Sequence, residues 1–452
     1  MENTDTVVAL ATPAGESAIA LIRVTGPLCN QIARSVFDLA KSPTPRRACH
    51  GSYRDISGEV LDDVVYTLFN GPKSYTGEDV LEVSCHGNPL IATRLLEDML
   101  ARGCRQSEPG EFTRRAFLNG RMDLTQAEAV MELIQARSDR AIRVANNQLR
   151  GNFGRQLVQL KTRLLTTVAT VEAYIDFPEE DLPPEQKKKE IEAIRSVLAY
   201  CSRIIDSGKY AAFLRDGVKT LILGEPNAGK SSLLNCLLGF ERAIVSDEPG
   251  TTRDFIRERV ILEGHCLQLM DTAGLREAAS GIERQGIRKT VELSEEADLF
   301  LLVLDGSLPA PVLPDEVSEQ LNAENCIVVQ NKSDLGDLRP LPSELSELQR
   351  VSMCALSGEG LDTLKTTIVA MIDAHLAQDQ DDLILVNARH SAALKELASC
   401  LESAIGKFEE GEPAEFVASE LRGAVDAIGC VLGRIDTEDM LDVLFSSFCI
   451  GK

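Results

Sequence analysis

Residues 224–231 constrain the fold of this chain most strongly. They read Gly-Glu-Pro-Asn-Ala-Gly-Lys-Ser and lie between the apolar runs 218–223 and 232–238. A buried strand, a glycine-rich turn and a helix start therefore follow one another in the order that a phosphate-binding loop (P-loop) requires. Main-chain N–H groups and the positive helix end would hold phosphates, with Lys230 at the β and γ oxygens and the Ser231 hydroxyl on Mg²⁺. The alternative is an ordinary strand-to-helix turn, which a full motif match in this context disfavours.

Two downstream motifs predict which nucleotide this loop binds. Asp271 begins Asp-Thr-Ala-Gly after the apolar run 267–270, so its carboxylate would hold a Mg²⁺-bound water near the phosphates. Asp334 ends Asn-Lys-Ser-Asp after the apolar run 327–330, and its carboxylate can accept both N–H groups on the edge of guanine. Adenine offers no such pair of donors, and an unpaired carboxylate in a dry pocket costs on the order of several kcal/mol. The motifs therefore predict GTP rather than ATP.

The region between these motifs has the character of a switch. Residues 250–254 read Gly-Thr-Thr-Arg-Asp, and Thr252 is the first choice for a hydroxyl that joins Mg²⁺. Leu275 follows Gly274 at the position where Ras-like switches carry a Gln that orients the attacking water. Another residue must orient that water, and Glu277 and Glu283 are acidic candidates, although an isolated loop acid is usually just exposed.

Length and composition limit the remaining possibilities. The 452 residues predict about three domains. A net charge of −23 argues against a broad nucleic-acid surface, so any RNA must be held locally or by a partner. The cysteines are scattered and form no Cys-x-x-Cys pair, which disfavours a zinc site or a disulfide framework and fits a reducing cytoplasm. The sequence shows neither a signal or transit peptide nor an apolar run long enough to span a membrane.

Four segments of different character follow one another along the chain. Residues 1–118 contain short apolar runs broken by Gly and Pro, typical of an α+β domain. Residues 119–210 have helical periodicity, 211–379 alternate strand and helix signals as in a parallel, doubly wound sheet, and 380–452 are helical again. We therefore expect the nucleotide module to be inserted into one helical domain.

Local signals predict individual elements within these segments. Asn88 and Pro89 begin a helix that extends to residue 100, and Thr125 with Glu128 form a possible capping box. Asp436 is a plausible N-cap of the last helix. Apolar or alternating runs predict strands at 6–11, 18–24, 64–69, 80–83, 220–223, 260–261, 267–270, 299–304 and 327–330.

The sequence resembles a known family throughout its length, the MnmE/TrmE family of bacterial tRNA modification GTPases that act on the wobble uridine. Besides the nucleotide motifs, the segments that carry this resemblance are Ala11-Thr12-Pro13 with Arg23, Tyr-Thr-Gly-Glu-Asp-Val-Leu-Glu at 75–82, Pro-Gly-Glu-Phe at 109–112, Ala-Phe-Leu-Asn at 116–119 and Phe-Cys-Ile-Gly-Lys at 448–452.

The resemblance implies a multidomain α/β and α protein. Its N-terminal α+β domain would bind folate and form a homodimer, its central domain would be all-helical, and a Ras-like P-loop G domain would be inserted into the helical domain. The pocket would take 5,10-methylene- or 5-formyl-tetrahydrofolate, and Arg23, Glu82, Arg121 and Lys452 match the folate-contacting positions. Relatives often carry Lys at the position of Arg121. Without the resemblance, Arg23 and Glu82 would be interpreted as solvent-facing strand residues.

The resemblance also implies how GTP is hydrolysed. G domains of the family dimerise across the nucleotide and use K⁺ in place of an arginine finger, which would neutralise charge in the transition state. Asn227, Ser246, Glu248 and Thr251 match the K⁺ site, and Glu283 matches the acid that orients water. The candidate catalytic residues are Lys230 and Glu283. Cys449 is a further candidate, as a nucleophile, although the sequence alone favours a structural cysteine. The implied GTP-binding set is Asn227, Ala228, Gly229, Lys230, Ser231, Ser232, Ser246, Asp247, Glu248, Pro249, Gly250, Thr251, Thr252, Asp271, Thr272, Ala273, Gly274, Asn331, Lys332, Asp334, Cys354, Ala355 and Leu356.

Partners are implied in the same way. The family works in the cytoplasm with a flavin-containing partner protein, which alone carries FAD, and together they install aminomethyl or carboxymethylaminomethyl groups on tRNA. Two alternatives remain open at this point. One competes with this function and makes the chain a regulatory or assembly GTPase whose N-terminal domain serves only for dimerisation. The other makes it a stand-alone folate-dependent aminomethyltransferase with an appended G module.

Overall fold

The computed structural model describes residues 5–176, 183–240, 257–271, 283–310, 315–336, 338–376, 384–433, 438–446 and 448–451. The chain divides into two compact units. The first unit combines residues 1–131, 147–198 and 392–452, and the second combines residues 132–146 and 199–391. No helix in the described part of the chain has the length and apolar character needed to cross a bilayer.

The first unit contains a six-stranded sheet with the order β3-β4-β5-β2-β1-β6. Its strands are antiparallel except for the parallel pair of β1 and β6. Buried and exposed residues alternate along β4 and β5, as expected when one face of a sheet packs on a core and the other does not. The strands are β1 Val7–Leu10, β2 Ile19–Thr25, β3 Cys49–Arg54, β4 Val60–Phe69, β5 Val80–His86 and β6 Arg105–Gln106.

The second unit contains another six-stranded sheet, with the order β12-β11-β10-β7-β9-β8. It is parallel as predicted except for β8, which pairs antiparallel with β9. Strands β10 and β11 are buried along almost their whole length, since helices cover both faces of a parallel sheet. The strands are β7 Val218–Leu223, β8 Arg257–Leu262, β9 His265–Asp271, β10 Leu299–Asp305, β11 Cys326–Asn331 and β12 Gln349–Ser352.

Helices account for much of the rest of the described chain. In order they are α1 Cys29–Val36, α2 Pro89–Ala101, α3 Glu111–Leu118, α4 Leu124–Gln135, α5 Asp139–Leu149, α6 Asn152–Asp176, α7 Pro184–Asp216, α8 Lys230–Phe240, α9 Glu283–Glu296, α10 Asp315–Ser318, α11 Leu361–Leu376, α12 Ala388–Glu410, α13 Ala414–Leu432 and α14 Glu438–Ser446.

The structure tests the predicted helix starts. The Asn88 side chain accepts a hydrogen bond from the Leu90 N–H at the start of α2, which confirms that N-cap. The capping box predicted at Thr125 and Glu128 is wrong. The capping box at the start of α4 is instead formed by Asp123 and Gln126, because α4 begins at Leu124. The side chain of each of these two residues accepts a hydrogen bond from the main-chain N–H of the other. The predicted N-cap Asp436 lies outside the described residues.

Candidate functional site

The P-loop follows β7 at the carboxyl edge of the parallel sheet. Gly224 has φ +144°, and a Cβ there would collide with the Val303 carbonyl oxygen of β10, so only glycine fits. Asn227 has φ +66°, a left-handed conformation that Asn tolerates better than most residues. The sequence thus forms a tight turn that leads directly into the first residue of α8, Lys230.

Lys230 lies on the inner side of this loop. The side chain is buried, and its ammonium donates hydrogen bonds to the carbonyl oxygens of Gly224 (2.9 Å) and Glu225 (2.8 Å). Ser231 and Ser232 follow in the first turn of α8, with Ser231 exposed. A helix start with its free N–H groups, a buried cation and an exposed hydroxyl together form a site suited to a phosphate and its metal ion.

Asn331, at the end of β11, connects the P-loop to a third loop. Its amide nitrogen donates to the Ala228 carbonyl oxygen (2.8 Å), and its amide oxygen accepts from the Ala355 N–H (2.9 Å). The side chain is only 3% exposed, so both hydrogen bonds are made away from solvent. One amide therefore fixes the distance between the segment predicted to hold phosphate and the segment predicted to close over the base.

Lys332 and Asp334 follow on the same loop. The Lys332 ammonium lies 2.7 Å from a carboxylate oxygen of Asp305. This hydrogen bond, with a further one from Ser307, lowers the pKa of Asp305 below its ordinary value. Asp334 is exposed in the short 3₁₀ turn Ser333–Leu335, where its carboxylate is open to a ligand.

The segment predicted to close over the base is a tight turn. Cys354 and Ala355 are buried, whereas Leu356 is 86% exposed. The turn is closed by hydrogen bonds from the Cys354 N–H to the Glu359 carbonyl oxygen and from the Gly358 N–H to the Cys354 carbonyl oxygen, both 2.9 Å. An exposed leucine on a rigid turn offers an apolar surface beside the Asp334 carboxylate segment.

Asp271 ends β9 at the same edge of the sheet, since its main chain pairs with Ile222 of β7. Its side chain, and that of Glu283 at the start of α9, lie outside the described residues. The same is true of the remaining predicted nucleotide and cation contacts, Ser246, Asp247, Glu248, Pro249, Gly250, Thr251, Thr252, Thr272, Ala273 and Gly274, and of Leu275 and Glu277.

A second cluster of predicted residues lies on the N-terminal sheet. Arg23 of β2 stands opposite Glu82 of β5, and its guanidinium donates to a single carboxylate oxygen, Oε1, at 2.9 and 2.8 Å. Its Nη1 donates to the Gly451 carbonyl oxygen at 3.1 Å. The guanidinium also lies 5.9 Å from the centroids of the Tyr75 and Phe112 rings. The end of the chain thus reaches the predicted folate site.

Known proteins match both halves of this arrangement. Residues 6–121 match a family model described as "GTP-binding protein TrmE N-terminus", and residues 124–449 match one described as "MnmE helical domain". Proteins named "tRNA modification GTPase MnmE" are 48% identical in Opitutus terrae and 42% identical in Akkermansia muciniphila and in Aquifex aeolicus. Each alignment covers 99% of this chain and 99% of the relative. The chain belongs to the MnmE family. Membership confirms the resemblance and the predicted fold class.

Of the other two predicted folate contacts, Arg121 and Lys452, the structure describes only Arg121. Arg121 is exposed just beyond α3, and a Cβ at Gly77 would lie 3.2 Å from its Cγ. Asn119 donates to the Thr76 carbonyl oxygen at 2.8 Å, so the segment around Tyr75 is held against the end of α3. Lys452 lies outside the described residues, directly after Gly451.

Cys449 reaches this region through its main chain. Its carbonyl oxygen accepts a hydrogen bond from the Gly110 N–H at 3.3 Å, and Ile450 forms a β-bridge with Pro109. The thiol of Cys449 is exposed. The main-chain contacts give this segment a structural task, which is to carry Gly451 to Arg23.

Sequence reasoning missed three features of these sites. Asp305 pairs with Lys332 but belongs to no motif, and the carbonyl oxygen of Gly451 contacts Arg23 through its main chain, which leaves no side-chain signal. Tyr75, beside Arg23, was part of the segment that carried the family resemblance but had been given no role. It lies in a bend between Ser74 and Thr76 rather than in a strand, so no periodic sequence pattern indicates that it faces the cluster.

Proposed function

We propose that this chain hydrolyses GTP in the course of adding an aminomethyl or carboxymethylaminomethyl group to C5 of the wobble uridine of certain tRNAs. The relatives' shared name, tRNA modification GTPase, supports the tRNA part of this proposal. The observation that carries the GTPase part is Asn331, whose amide holds the P-loop and the base-closing loop together.

The described residues fit GTP and Mg²⁺. The Lys230 ammonium and the N–H groups at the start of α8 would bind the phosphates, and the exposed Ser231 hydroxyl would bind Mg²⁺ together with Thr252. Mg²⁺ neutralises charge on the phosphates when bound. The exposed Asp334 carboxylate would accept the two N–H groups of guanine, which excludes adenine.

We further propose that K⁺ binds beside the phosphates when two G domains pair. Asn227 supports this, because its left-handed backbone leaves the side chain exposed on the P-loop, where an amide oxygen can act as a cation ligand. Ser246, Glu248 and Thr251 would complete the site, and Glu283 would orient the water that attacks the γ-phosphate.

Hydrolysis rates in K⁺ and in Na⁺ test this proposal. We expect GTP turnover to be faster in K⁺ by at least tenfold, and Asn227→Ala to remove most of that difference. We also expect Glu283→Ala to bind GTP normally and to lose at least 10²-fold in turnover, the scale typical of a general acid–base or water-orienting group. Equal rates in the two salts would rule out the cation site, and unchanged turnover of Glu283→Ala would remove that residue from the mechanism.

The N-terminal cluster fits a tetrahydrofolate in its donor chemistry. Arg23 uses only Oε1 of Glu82, and among the described residues Oε2 receives no hydrogen bond, so it can accept N–H groups of a pterin ring. Arg23, Arg121 and Lys452 would supply positive charge for the anionic part of the folate, and the Tyr75 and Phe112 rings offer apolar walls. The bound folate would supply the one-carbon unit.

We further propose that the protein acts as a homodimer in the cytoplasm, together with a flavin-containing partner that carries FAD. Analysis of modified nucleosides in tRNA tests the whole function. We expect tRNA from cells lacking this chain to lose the wobble uridine modification, and we expect the wild-type gene, but not Lys230→Ala, to restore it. Normal wobble nucleosides in the deletion strain would instead favour a regulatory GTPase, and full modification without the flavin partner would favour a stand-alone transferase.

A further inference from the structure

A stretch of the first unit departs from the acidic character of the chain. Asp and Glu number 70 and Lys and Arg number 47 overall, yet residues 147–171 contain four cations and no carboxylate. The cations are Arg150, Arg155, Lys161 and Arg163, which lie in the turn before α6 and along its first half. Lys161 is two residues from Arg163 and therefore projects from another side of the helix. We call the three arginine side chains the α6 basic surface.

The α6 basic surface faces outwards. Arg150, Arg155 and Arg163 are exposed, while the opposite side of α6 packs through Leu157, Leu160 and Leu164. Arg155 and Arg163 are eight residues apart. That spacing is a little over two turns and about 12 Å along the axis, so both side chains project from one side of the helix. A ligand with several negative charges can therefore contact more than one of them at once.

These cations are not neutralised by carboxylates of the described residues. Arg150, Lys161 and Arg163 form no ion pair there, and Arg155 donates only to the Arg150 carbonyl oxygen and the Asn152 side-chain oxygen. By contrast, Arg422 pairs with Glu172 at the far end of α6. The positive charge of the surface is available to an external partner.

The helix that packs on α6 places two of its three carboxylates away from the basic surface. Arg422 of α13 contacts Glu172 near the end of α6, and Gly433 after α13 lies against Leu124, next to the residues that contact the start of α6. The two helices therefore run antiparallel, which places Glu415 and Glu420 at the end of α6 away from Arg150. Glu420 is itself paired with Lys407 at 2.7 Å. Asp426 of α13 and Asp123, which lies against Gly154, are nearer, but Asp123 already accepts hydrogen bonds from Thr125 and Gln126. Charges farther than about 10 Å are largely screened at 0.1 M salt, so the cations of this surface outnumber the carboxylates that act on it.

We propose that the α6 basic surface binds phosphates of the tRNA substrate. This inference rests on the proposed tRNA modification and adds the surface that holds the RNA. Arginine binds phosphate in a bidentate manner and dominates contacts to nucleic-acid backbones. In a chain with net charge −23, RNA can approach closely only where cations outnumber the nearby carboxylates and form no ion pair with the described residues. The surface meets both conditions.

Binding of purified bulk bacterial tRNA to the full chain at several salt concentrations tests this. The test variant is Arg150→Gln, Arg155→Gln, Arg163→Gln, whose residues make no ion pair with the described part of the chain. The matched control is Lys187→Gln, Lys188→Gln, Lys189→Gln, which removes the same charge from the start of α7 in the same unit. Melting temperatures show whether both variants remain folded.

We expect the test variant to bind tRNA at least tenfold more weakly at 0.1 M salt, with the slope of log K against log salt reduced by about 1 for each phosphate that the variant no longer binds. The control should change affinity less than twofold.

Equally weakened binding in the two variants would overturn the proposal, because net charge alone would then explain binding. Normal tRNA binding by the test variant together with absent modification in cells would also overturn it and would assign the surface to a protein partner. Unchanged wobble nucleosides in the deletion strain would instead refute the proposed function while leaving the binding result intact.

Discussion

The nucleotide site and the N-terminal cluster are held together by different interactions. At the edge of the parallel sheet, the uncharged amide of Asn331 joins loops 103 and 24 residues away along the chain. On the antiparallel sheet, the guanidinium of Arg23 joins Glu82, 59 residues away, and Gly451, 428 residues away. The first site consists of short segments that each carry a motif, whereas the second exists only once both ends of the chain have folded together.

The residues that support the two sites also differ, since one site rests on apolar strands and the other on a buried ion cluster. Strands β10 and β11 stabilise the nucleotide site through apolar burial. In the N-terminal unit, Arg115 is only 1% exposed and pairs with Asp5, Glu111 and Glu78 at 2.8, 2.8 and 3.1 Å. Glu78 belongs to the same segment as Tyr75, so this ion cluster also holds one wall of the proposed folate site in place.

The largest effect is expected from breaking this buried cluster. Arg115→Met should lower the free energy of unfolding by about 3–5 kcal/mol, because Glu78 loses its cation and the buried Glu111 keeps only Arg105, whose side chain is half-exposed. Arg422→Met is the matched control, since Arg422 and Glu172 form an exposed pair, and it should cost less than about 1 kcal/mol. Chemical denaturation of both variants measures the difference. Equal costs would show that the cluster contributes no more than a surface pair.

The pH dependence of this difference follows from the pKa values. Burial raises the pKa of Glu111, but hydrogen bonds from Arg105 and Arg115 outweigh it and hold the pKa below its ordinary value. A carboxylate with a lowered pKa in the folded state stabilises the fold above its unfolded pKa of about 4.3 and loses that contribution as the pH falls through the folded value. The stability difference between wild type and Arg115→Met should therefore be largest near pH 7 and shrink below about pH 4.

The two sheets also differ in how well their sequences predicted them. Every strand predicted from an apolar run was found, but β3, β6 and β12 were missed, and all three lie at sheet edges. An edge strand has a neighbour on one side only, so a polar sequence such as Cys-His-Gly-Ser-Tyr-Arg in β3 can be held by its partner without an apolar signal of its own. The interior strands must be apolar to be buried, and this is the pattern that sequence reasoning detects.

Individual site residues follow the same rule. Lys230, Asn331 and Asp334 were predictable because the backbone geometry of each motif is local. The resemblance implies only that Arg23 and Glu82 contact folate, and their ion pair is not predicted, since its geometry depends on the register of β2 and β5. The contact of Arg23 with Gly451 depends on tertiary structure alone, and a sequence without relatives gives no means to predict it.

An intermediate effect is expected at Asn331. Asn331→Ala should cost about 2–3 kcal/mol in GTP binding or stability, because two buried main-chain groups lose their partner. Asn331→Asp should cost no less, because it keeps the acceptor for the Ala355 N–H but turns a buried carboxylate oxygen towards the Ala228 carbonyl oxygen. Asn325→Ala is the matched control. Asn325 also makes two side-chain bonds to main chain, at the opposite end of β11, and its loss should leave GTP affinity unchanged. Nucleotide titration and thermal denaturation separate the two quantities. If Asn325→Ala weakened GTP binding as much as Asn331→Ala, the special role of Asn331 would be refuted.

The smallest effect is expected on the N-terminal side, at Glu82. Glu82→Gln keeps the size of the side chain but replaces a charged acceptor, so tetrahydrofolate should bind about tenfold more weakly, which corresponds to roughly 1.4 kcal/mol. Glu172→Gln is the control, because Glu172 also accepts from an arginine on the surface of the same unit but lies on α6, away from this cluster. GTP turnover should be the same in both variants, since the nucleotide motifs lie in the other unit. A folate affinity that is unaffected by Glu82→Gln would separate the ion pair from ligand binding and leave Arg23 with the purely structural task of anchoring the end of the chain at Gly451.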